Sequence, residues 1–291
     1  MLIHKKQIYK NIKININMNK ANIKFISSKN NELIIDIGKL KEKKHRDKTG
    51  LFFVEGFKLF EEAIRANSAG RGCKIKYILA VEDVADEALR IAGDEIEVPF
   101  IVTTKEVYKK ISAEESAQGI MCVISKPLSS EEIDLSYQTP VIILDAVRDT
   151  GNVGTIIRSA NALCECEFIF THDCADLYNP KTLRAAMGAN FYQKVKICEN
   201  LNNITNEVAK LKENGYNIFA AFLDKTAKSI EDVSFDAKTA VIFGNEGKGI
   251  SDDILNLCDE KIIIPINENS ESLNVSIAAG IVFWEMKKIK K

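Results

Sequence analysis

The stretch that decides the fold runs from Ile262 to Trp284 and reads Ile-Ile-Ile-Pro-Ile-Asn-Glu-Asn-Ser-Glu-Ser-Leu-Asn-Val-Ser-Ile-Ala-Ala-Gly-Ile-Val-Phe-Trp. Its isoleucines predict a buried strand that ends near Pro265, because proline cannot donate a ladder hydrogen bond. A polar loop follows, in which Ser272 could cap a helix, and from Leu273 the apolar residues fall at helical spacing. This order offers a place for a polar ligand at the helix N-terminus, although an ordinary βα unit has the same pattern.

Two upstream segments each join a buried strand to a polar turn. Residues 241–251 read Val-Ile-Phe-Gly-Asn-Glu-Gly-Lys-Gly-Ile-Ser, a strand that enters a glycine-rich turn carrying the carboxylate of Glu246. Residues 141–158 read Val-Ile-Ile-Leu-Asp-Ala-Val-Arg-Asp-Thr-Gly-Asn-Val-Gly-Thr-Ile-Ile-Arg. We interpret these as a strand, a turn at Gly151-Asn152 and a helix that bears Arg158. The glycine turn fits neither the P-loop nor the dinucleotide-binding pattern.

Taken in chain order, the segments at residues 141–158, 241–251 and 262–284 resemble the first, second and third motifs of the SpoU (TrmH) family of RNA ribose 2'-O-methyltransferases. The resemblance covers roughly residues 140 to 286, and its most specific parts are the glycine turn and the string from Glu271 to Ser276. It implies methyl transfer from S-adenosyl-L-methionine to a ribose 2'-hydroxyl. It also implies a trefoil-knotted SPOUT fold whose knot holds the cofactor, which no sequence pattern could predict because threaded chains are very rare.

The second half of the chain alternates apolar runs with helical stretches, which predicts an α/β fold with a mostly parallel sheet and helices on both faces. The predicted strands are Val141–Ala146, Glu167–Thr171, Tyr192–Ile197, Asn217–Leu223, Ala240–Gly244 and Lys261–Ile266.

The first half predicts a smaller α/β domain with the same rhythm. Its predicted strands are Leu51–Val54, Ile75–Val81, Val98–Thr103 and Ile120–Ile124; its predicted helices are Lys29–Glu42 with Ser28 as a cap, one that starts near Phe57, Val84–Ala92 and Lys105–Ile111. The string from Lys43 to Gly56 resembles the RNA substrate-binding domain that many SpoU proteins carry in front. Lys43, Lys44, Arg46 and Lys48 lie in its basic turn and could contact phosphates, whereas a solvated charged face is the alternative.

Composition bounds the class of protein. The chain has 291 residues, 46% of them hydrophobic, and a net charge of −1, so only a local basic patch could bind RNA. Its seven cysteines include no Cys-x-x-Cys pair, so we expect free thiols, no metal and a cytoplasmic location. No apolar run is long enough for a membrane span.

We divide the chain at three boundaries. Residues 1–22 are a flexible basic extension, in which Met18 would serve as well as Met1 for a start. Residues 23–125 are the RNA substrate-binding domain. The composition of residues 1–31 is that of a disordered tail, so this second prediction overlaps the first nine residues of the domain. Residues 126–139 are a linker, and residues 140–291 are the SpoU methyltransferase domain.

The resemblance assigns the catalytic roles to Arg158, Asn152, Ser272, Asn274 and Glu246. A guanidinium stays protonated, so we expect Arg158 to bind the target phosphate and stabilise developing alkoxide charge rather than act as a base. A helix arginine paired with Asp145 or Asp149 is the alternative. Asn152 would orient Arg158 or the ribose, or be a simple turn residue. Glu246 would hold a polar group of the cofactor or RNA, or fix the glycine turn internally.

The resemblance places Gly244, Ile264 and Leu273 around the cofactor, which their backbone groups would bracket. Ser272 and Asn274 would line the active site, and they could also act as the helix cap and its first-turn partner. The segment from Tyr178 to Gly188 predicts a helix with Pro180 in its first turn. Arg184 on that helix would face the RNA; a surface arginine without a function is the alternative.

The favoured function is methylation of large-subunit ribosomal RNA, with transfer RNA as the closest alternative. A non-catalytic RNA-binding protein on the same fold is the hypothesis from another class, and the joint presence of the five catalytic candidates argues against it. The helix from Leu273 to Met286 is apolar around much of its circumference. Because the resemblance implies dimerisation through the methyltransferase domain, we expect this helix to contribute to a two-fold homodimer interface.

Overall fold

The computed structural model describes residues 23–71, 73–93, 98–126, 133–224 and 226–288. The predicted extension over residues 1–22, including Met18, lies outside these ranges, as do residues 127–132 of the predicted linker. The chain divides into two compact units. The first contains the described residues before 129 together with Tyr178–Pro180, and the second contains the remaining described residues.

The described part of the first unit contains a five-stranded mixed sheet covered by helices. Its strands are β1 (Ile23–Ile26), β2 (Leu51–Glu55), β3 (Lys74–Val81), β4 (Phe100–Thr103) and β5 (Ile120–Ser125), and its helices are α1 (Glu32–Lys39), α2 (Lys43–Thr49), α3 (Phe57–Ser68), α4 (Ala85–Ala92) and α5 (Lys105–Ile111). The strand order is β1-β4-β3-β5-β2. Strands β1, β4 and β3 are parallel, whereas β5 runs antiparallel to both of its neighbours.

Three local predictions for this unit are wrong. Strand β1 lies within residues 1–31, and it is ordered by parallel pairing with β4, a long-range contact that its own composition does not reveal. The predicted basic turn at residues 43–50 is helix α2, which ends at Gly50 with φ 65°. Helix α1 begins at Glu32 because the Asn31 side chain, not that of Ser28, accepts the hydrogen bond from Leu33 N at 3.0 Å.

The described part of the second unit contains a seven-stranded sheet in which every strand pair is parallel. Its strands are β6 (Val141–Leu144), β7 (Glu167–Thr171), β8 (Val195–Cys198), β9 (Asn217–Ala221), β10 (Lys228–Ser229), β11 (Thr239–Phe243) and β12 (Glu260–Ile263), and its helices are α6 (Thr150–Leu163), α7 (Pro180–Ala186, of which all but Pro180 belong to this unit), α8 (Leu201–Glu213), α9 (Asp252–Leu255) and α10 (Val275–Met286). The order is β10-β12-β9-β11-β6-β7-β8.

Helices cover both faces of this sheet, as predicted. On one face, α8 buries Ile204, Val208 and Leu211 against alternate residues of the central strands, including Ile242. On the other face, α10 packs against the sheet through Phe283, whose ring meets that of Phe243 edge-on at 6.2 Å. The near-continuous apolar strands of the sequence are those of a parallel sheet buried on both faces.

All carboxyl ends of parallel strands meet at one edge of a sheet, where open α/β folds bind their ligands. Here the segments that follow β6, β11 and β12 at that edge are the three stretches that the sequence singles out. The trefoil knot concerns the path of the chain rather than its strand order, and it stays a prediction. None of the helices in the described ranges has the length and apolarity that crossing a membrane requires.

Candidate active site

The glycine turn after β11 is a closed loop that only glycine permits at its first position. Asn245 and Gly249 exchange two backbone hydrogen bonds of 2.9 Å each, and Gly249 has φ 73°. A Cβ atom on Gly244 would lie 2.3 Å from Gly249 C and 2.4 Å from Ile250 N. Because those atoms belong to the backbone, a side chain at Gly244 would force the turn open.

The end of strand β6 holds this turn from the neighbouring position in the sheet. Asp145 is only 6% exposed, and its carboxylate accepts hydrogen bonds from Ser251 N at 2.8 Å and Ser251 Oγ at 2.9 Å. The Asn245 amide nitrogen donates to Ala146 O at 2.8 Å, and the Asn245 Oδ1 accepts from the N–H groups of Gly247 and Lys248. These bonds hold the segment that follows β6 against the glycine turn that follows β11.

Sequence reasoning missed these positioning residues. The sequence offers Asp145 only as an ion-pair partner of Arg158 and gives Asn245 no role. The signals that could have found them are an Asp directly after a buried strand, as for Asp145, and an Asn beside a glycine in a turn, as for Asn245. Such side chains commonly bond neighbouring backbone groups.

One hydrogen-bonded chain joins all three motifs. Asn152 Nδ2 donates to Glu246 Oε1 at 2.9 Å, and Asn274 Nδ2 donates to Asn152 Oδ1 at 3.0 Å. Asn152 is not the predicted turn residue: it lies in the first turn of α6, where its N–H donates to the N-cap Asp149 at 2.8 Å. Because each amide both donates and accepts, the carboxylate of Glu246 sets the orientation of both asparagines.

Asn274 also caps helix α10. Its Oδ1 accepts from Ser276 N at 2.9 Å and Ser276 Oγ at 2.6 Å, and it accepts a longer bond from Ile277 N. The prediction that Ser272 caps this helix is therefore wrong, and the helix starts two residues later than Leu273. Ser272 is exposed in the loop before the cap, so its hydroxyl is left for a ligand.

Replacement of Asn274 tests this assignment of the cap. We expect Asn274→Ala to lower the free energy of unfolding by about 1 kcal/mol or more, the usual cost of a lost N-cap, while Ser272→Ala leaves it unchanged. Urea unfolding followed by circular dichroism measures both variants. Equal destabilisation by the two substitutions would contradict the assignment.

The turn, the β12 loop and the start of α10 enclose one cavity of about 630 Å³. Its lining includes all three predicted cofactor contacts, Gly244, Ile264 and Leu273, and three predicted catalytic residues, Glu246, Ser272 and Asn274. The volume is in the range of cavities that hold cofactors, and the mixture of apolar walls with few polar groups is typical of them. Asn152 does not line the cavity itself, but it is hydrogen-bonded to Glu246, which does.

Arg158 stands apart from this group. It lies on α6 six residues after Asn152, so the two side chains leave the helix in different directions. Arg158 is exposed, and within the described ranges its guanidinium makes no hydrogen bond or ion pair. Pairing with Asp145 or Asp149 is wrong, because Asp145 binds Ser251 and Asp149 caps α6. The guanidinium is therefore available to a ligand.

The predicted RNA contacts of the first unit separate into two groups. Lys43, Lys44 and Lys48 are exposed on α2, and Lys43 pairs with Asp47 at 2.9 Å. Arg46 is 1% exposed, and its Nη1 donates to Leu40 O and Lys41 O at 2.8 Å. The assignment of Arg46 to RNA is wrong, because this guanidinium satisfies carbonyl groups at the end of α1 inside the unit.

Arg184, the remaining predicted RNA contact, is half-buried in the last turn of α7.

All seven cysteines lie in the described ranges and are free thiols. Across those ranges, no group of three or more His, Cys, Asp and Glu side chains could hold a metal ion.

The fold and the cavity define an α/β protein with a ligand-sized cavity at the carboxyl edge of a parallel sheet, and comparisons with known proteins narrow this class to RNA methyltransferases. The family model described as the SpoU rRNA Methylase family matches residues 139–284, and a model described as an MRM3-like substrate binding domain matches residues 31–122. The chain belongs to the SpoU family.

Relatives match most of the chain. The 23S rRNA (guanosine(2553)-2'-O)-methyltransferase RlmP of Bacillus subtilis is 32% identical over 91% of this chain and 100% of its own length. The mitochondrial rRNA methyltransferase 3 of Mus musculus is 27% identical over 86% of this chain and 70% of its own. A crystal structure of an AdoMet-bound rRNA methyltransferase from Sinorhizobium meliloti has a TM-score of 0.75 at 24% identity, over 92% of this chain and 98% of that chain, which shows a shared fold.

Proposed function

We propose that this chain transfers a methyl group from S-adenosyl-L-methionine to a ribose 2'-hydroxyl of large-subunit ribosomal RNA. The observation that carries this proposal is the meeting of three separate motifs around one cavity, with Glu246, Asn152 and Asn274 joined by hydrogen bonds. The names of the relatives support RNA as the substrate and ribose as the methylated group.

The cavity fits the cofactor. Gly244 brings backbone rather than a side chain to the wall, and Ile264 and Leu273 add apolar surface beside main-chain groups. These three residues would hold the adenosine part, and Ser272 would hold a polar group of either ligand. When bound, S-adenosyl-L-methionine supplies an electrophilic methyl group on a sulfonium that departs as a neutral thioether.

The remaining residues act on the RNA. A ribose hydroxyl is a poor nucleophile at neutral pH, so the site must stabilise negative charge as its proton leaves. Arg158, exposed and unpaired within the described ranges, would bind the target phosphate and stabilise the developing alkoxide through charge-assisted hydrogen bonds. Asn152 and Asn274, with amides oriented by Glu246, would hold the ribose.

We further propose that residues 23–125 form an RNA-binding domain and residues 140–291 the methyltransferase domain. Lys44 and Lys48 stand one helical turn apart on the exposed face of α2 and would contact phosphates together with Lys43. Arg184 would serve the same purpose in the methyltransferase domain. The free thiols support a cytoplasmic location.

The test is methyl transfer from labelled S-adenosyl-L-methionine to RNA from a strain that lacks the gene. We expect label in the large-subunit ribosomal RNA and a new block to alkaline cleavage at one ribose. Label in transfer RNA alone would show that transfer RNA, not ribosomal RNA, is the substrate. No label in any RNA would favour the non-catalytic RNA-binding protein.

An apolar stripe on α10 supports a homodimer. Ile277 and Trp284 are 56% and 55% exposed, and Ile281 lies between them on the same face. Exposed apolar stripes of this kind are typical of protein interfaces. We propose that this face meets its copy across a two-fold axis.

We expect Trp284→Lys to weaken the dimer, because it places a charge in an apolar interface. Sedimentation velocity at micromolar concentration measures the assembly. Leu201→Lys on α8, which changes another exposed apolar residue, is the matched control and should leave assembly unchanged. A wild-type monomer with full activity would refute the dimer.

A further inference from the structure

Met187 has a backbone conformation that normally belongs to glycine. It follows the last residue of α7 with φ 51°, and its N–H donates to Leu183 O at 3.1 Å and Arg184 O at 3.2 Å. This is a left-handed helix end, where a side chain meets steric resistance that glycine avoids. A second left-handed residue, Gly188, follows with φ 91°.

Burial does not explain why a methionine stands at this position. The side chain is 37% exposed, whereas its neighbours Ala186 and Gly188 are buried. A large apolar side chain held in a strained conformation and open to solvent suggests a role outside the packed core.

The contacts of α6 show where Met187 lies in the second unit. A Cβ atom on Gly154 would lie 2.5 Å from Ala185 Cβ, so the end of α7 crosses α6 at Gly154. Seven residues later on α6, Asn161 Oδ1 accepts a hydrogen bond from Gln193 Nε2 at 3.2 Å.

Two contacts therefore tie the segment that contains Met187 to α6, one before it and one after it. On α6, Arg158 lies between the two contact points, and residues 154, 158 and 161 share one face of a helix. The segment from Met187 to Tyr192 consequently runs beside the turn of α6 that carries Arg158.

We propose that Met187 packs against the face of the target nucleotide's base and so holds its ribose at Arg158; this inference rests on the proposed function. A thioether is polarisable and makes favourable contacts with aromatic rings. RNA-binding proteins recognise unpaired bases by stacking them on aromatic rings or guanidinium planes. Proteins that bend DNA place apolar side chains, methionine among them, against the faces of bases, so a methionine can make the equivalent apolar contact. Because the contact is apolar, it does not require a particular base.

The substitutions Met187→Gly and Met187→Leu separate this contact from a structural role. Glycine removes the side chain and relieves the strain, so we expect the melting temperature to stay or to rise by about a few degrees. The kcat/KM for methylation of ribosomal RNA from the deletion strain should fall roughly tenfold, the scale of one lost base contact. Leucine keeps the apolar volume and should stay within about threefold of the wild type.

Cofactor affinity, measured by calorimetry with S-adenosyl-L-methionine, should not change in either variant, because Met187 does not line the cavity. Wild-type kcat/KM in Met187→Gly would overturn the inference, and so would a clear fall in its melting temperature or a Met187→Leu variant as impaired as Met187→Gly. No methyl transfer by the wild type would refute the proposed function and this inference with it, whereas equal transfer by wild type and Met187→Gly refutes the inference alone.

Discussion

Arg158→Ala is expected to lower the rate of methyl transfer by at least about 10²-fold, while cofactor affinity stays within a few-fold of the wild type. The guanidinium is exposed, lies outside the cavity lining and is unpaired in the described part of the chain, so its removal breaks no internal contact. What is lost is stabilisation of charge on the RNA as the hydroxyl proton leaves. Single-turnover kinetics with saturating RNA and cofactor measure this step directly.

Two further measurements decide whether the loss is chemical. Thermal unfolding should match that of the wild type, because surface substitutions away from packed or bonded groups rarely change stability by more than about 0.5 kcal/mol. Arg158→Lys should recover only part of the rate, since an ammonium group keeps the charge but not the planar fork. Loss of cofactor binding in a folded Arg158→Ala protein would place this residue on the cofactor side instead.

The parts of the fold that the sequence predicted are those whose physical cause is local. Six strands of the larger sheet follow from continuous apolar runs, and helix α5 follows from its apolar spacing. The seventh strand, β10, consists of Lys228 and Ser229 and was not predicted, because it has no apolar run. Strand β1 could not be predicted in this way. Its four residues, Ile-Lys-Phe-Ile, stand at the end of a lysine- and asparagine-rich segment with no longer apolar pattern, and they become a strand because β4 offers an open edge.

Arg46 shows the same limit for function. Within its basic run it has the same neighbours and charge as the lysines around it, and only the fold reveals that its guanidinium reaches the carbonyls of Leu40 and Lys41. Helix α2 points Arg46 into the unit and Lys44 towards solvent. Because the sequence predicted a turn rather than a helix here, it could not show that the two side chains lie on opposite faces.

The site was predicted as a set of residues but not as a set of bonds. Gly244, Glu246, Ser272 and Asn274 were named from separate motifs, and they line one cavity. The hydrogen bonds that hold the cavity together come from Asp145 and Asn245, which the motifs leave without a role. Bonds across 99 to 106 positions of the chain depend on strand order, which the residues alone do not determine.

Gly244→Ala is expected to abolish detectable cofactor binding and to lower the free energy of unfolding by roughly 2–4 kcal/mol. The added Cβ would meet three backbone atoms of Gly249 and Ile250 at 2.3 to 2.5 Å. Backbone cannot rotate away as a side chain can, so the paired bonds between Asn245 and Gly249 must break. The opened turn would also move Glu246 away from Asn152. Calorimetry with S-adenosyl-L-methionine and urea unfolding measure the two effects.

Gly247→Ala is the matched control in the same turn. A Cβ there would meet the Asn245 Oδ1 at 3.7 Å, an ordinary contact, and Gly247 does not need a left-handed conformation. We therefore expect its stability to stay within about 0.5 kcal/mol of the wild type. If both alanine variants lose stability equally, the turn requires glycine for its flexibility in general. If only Gly244→Ala loses it, the cause is the close approach of the two backbone segments, which also forms the wall of the cavity.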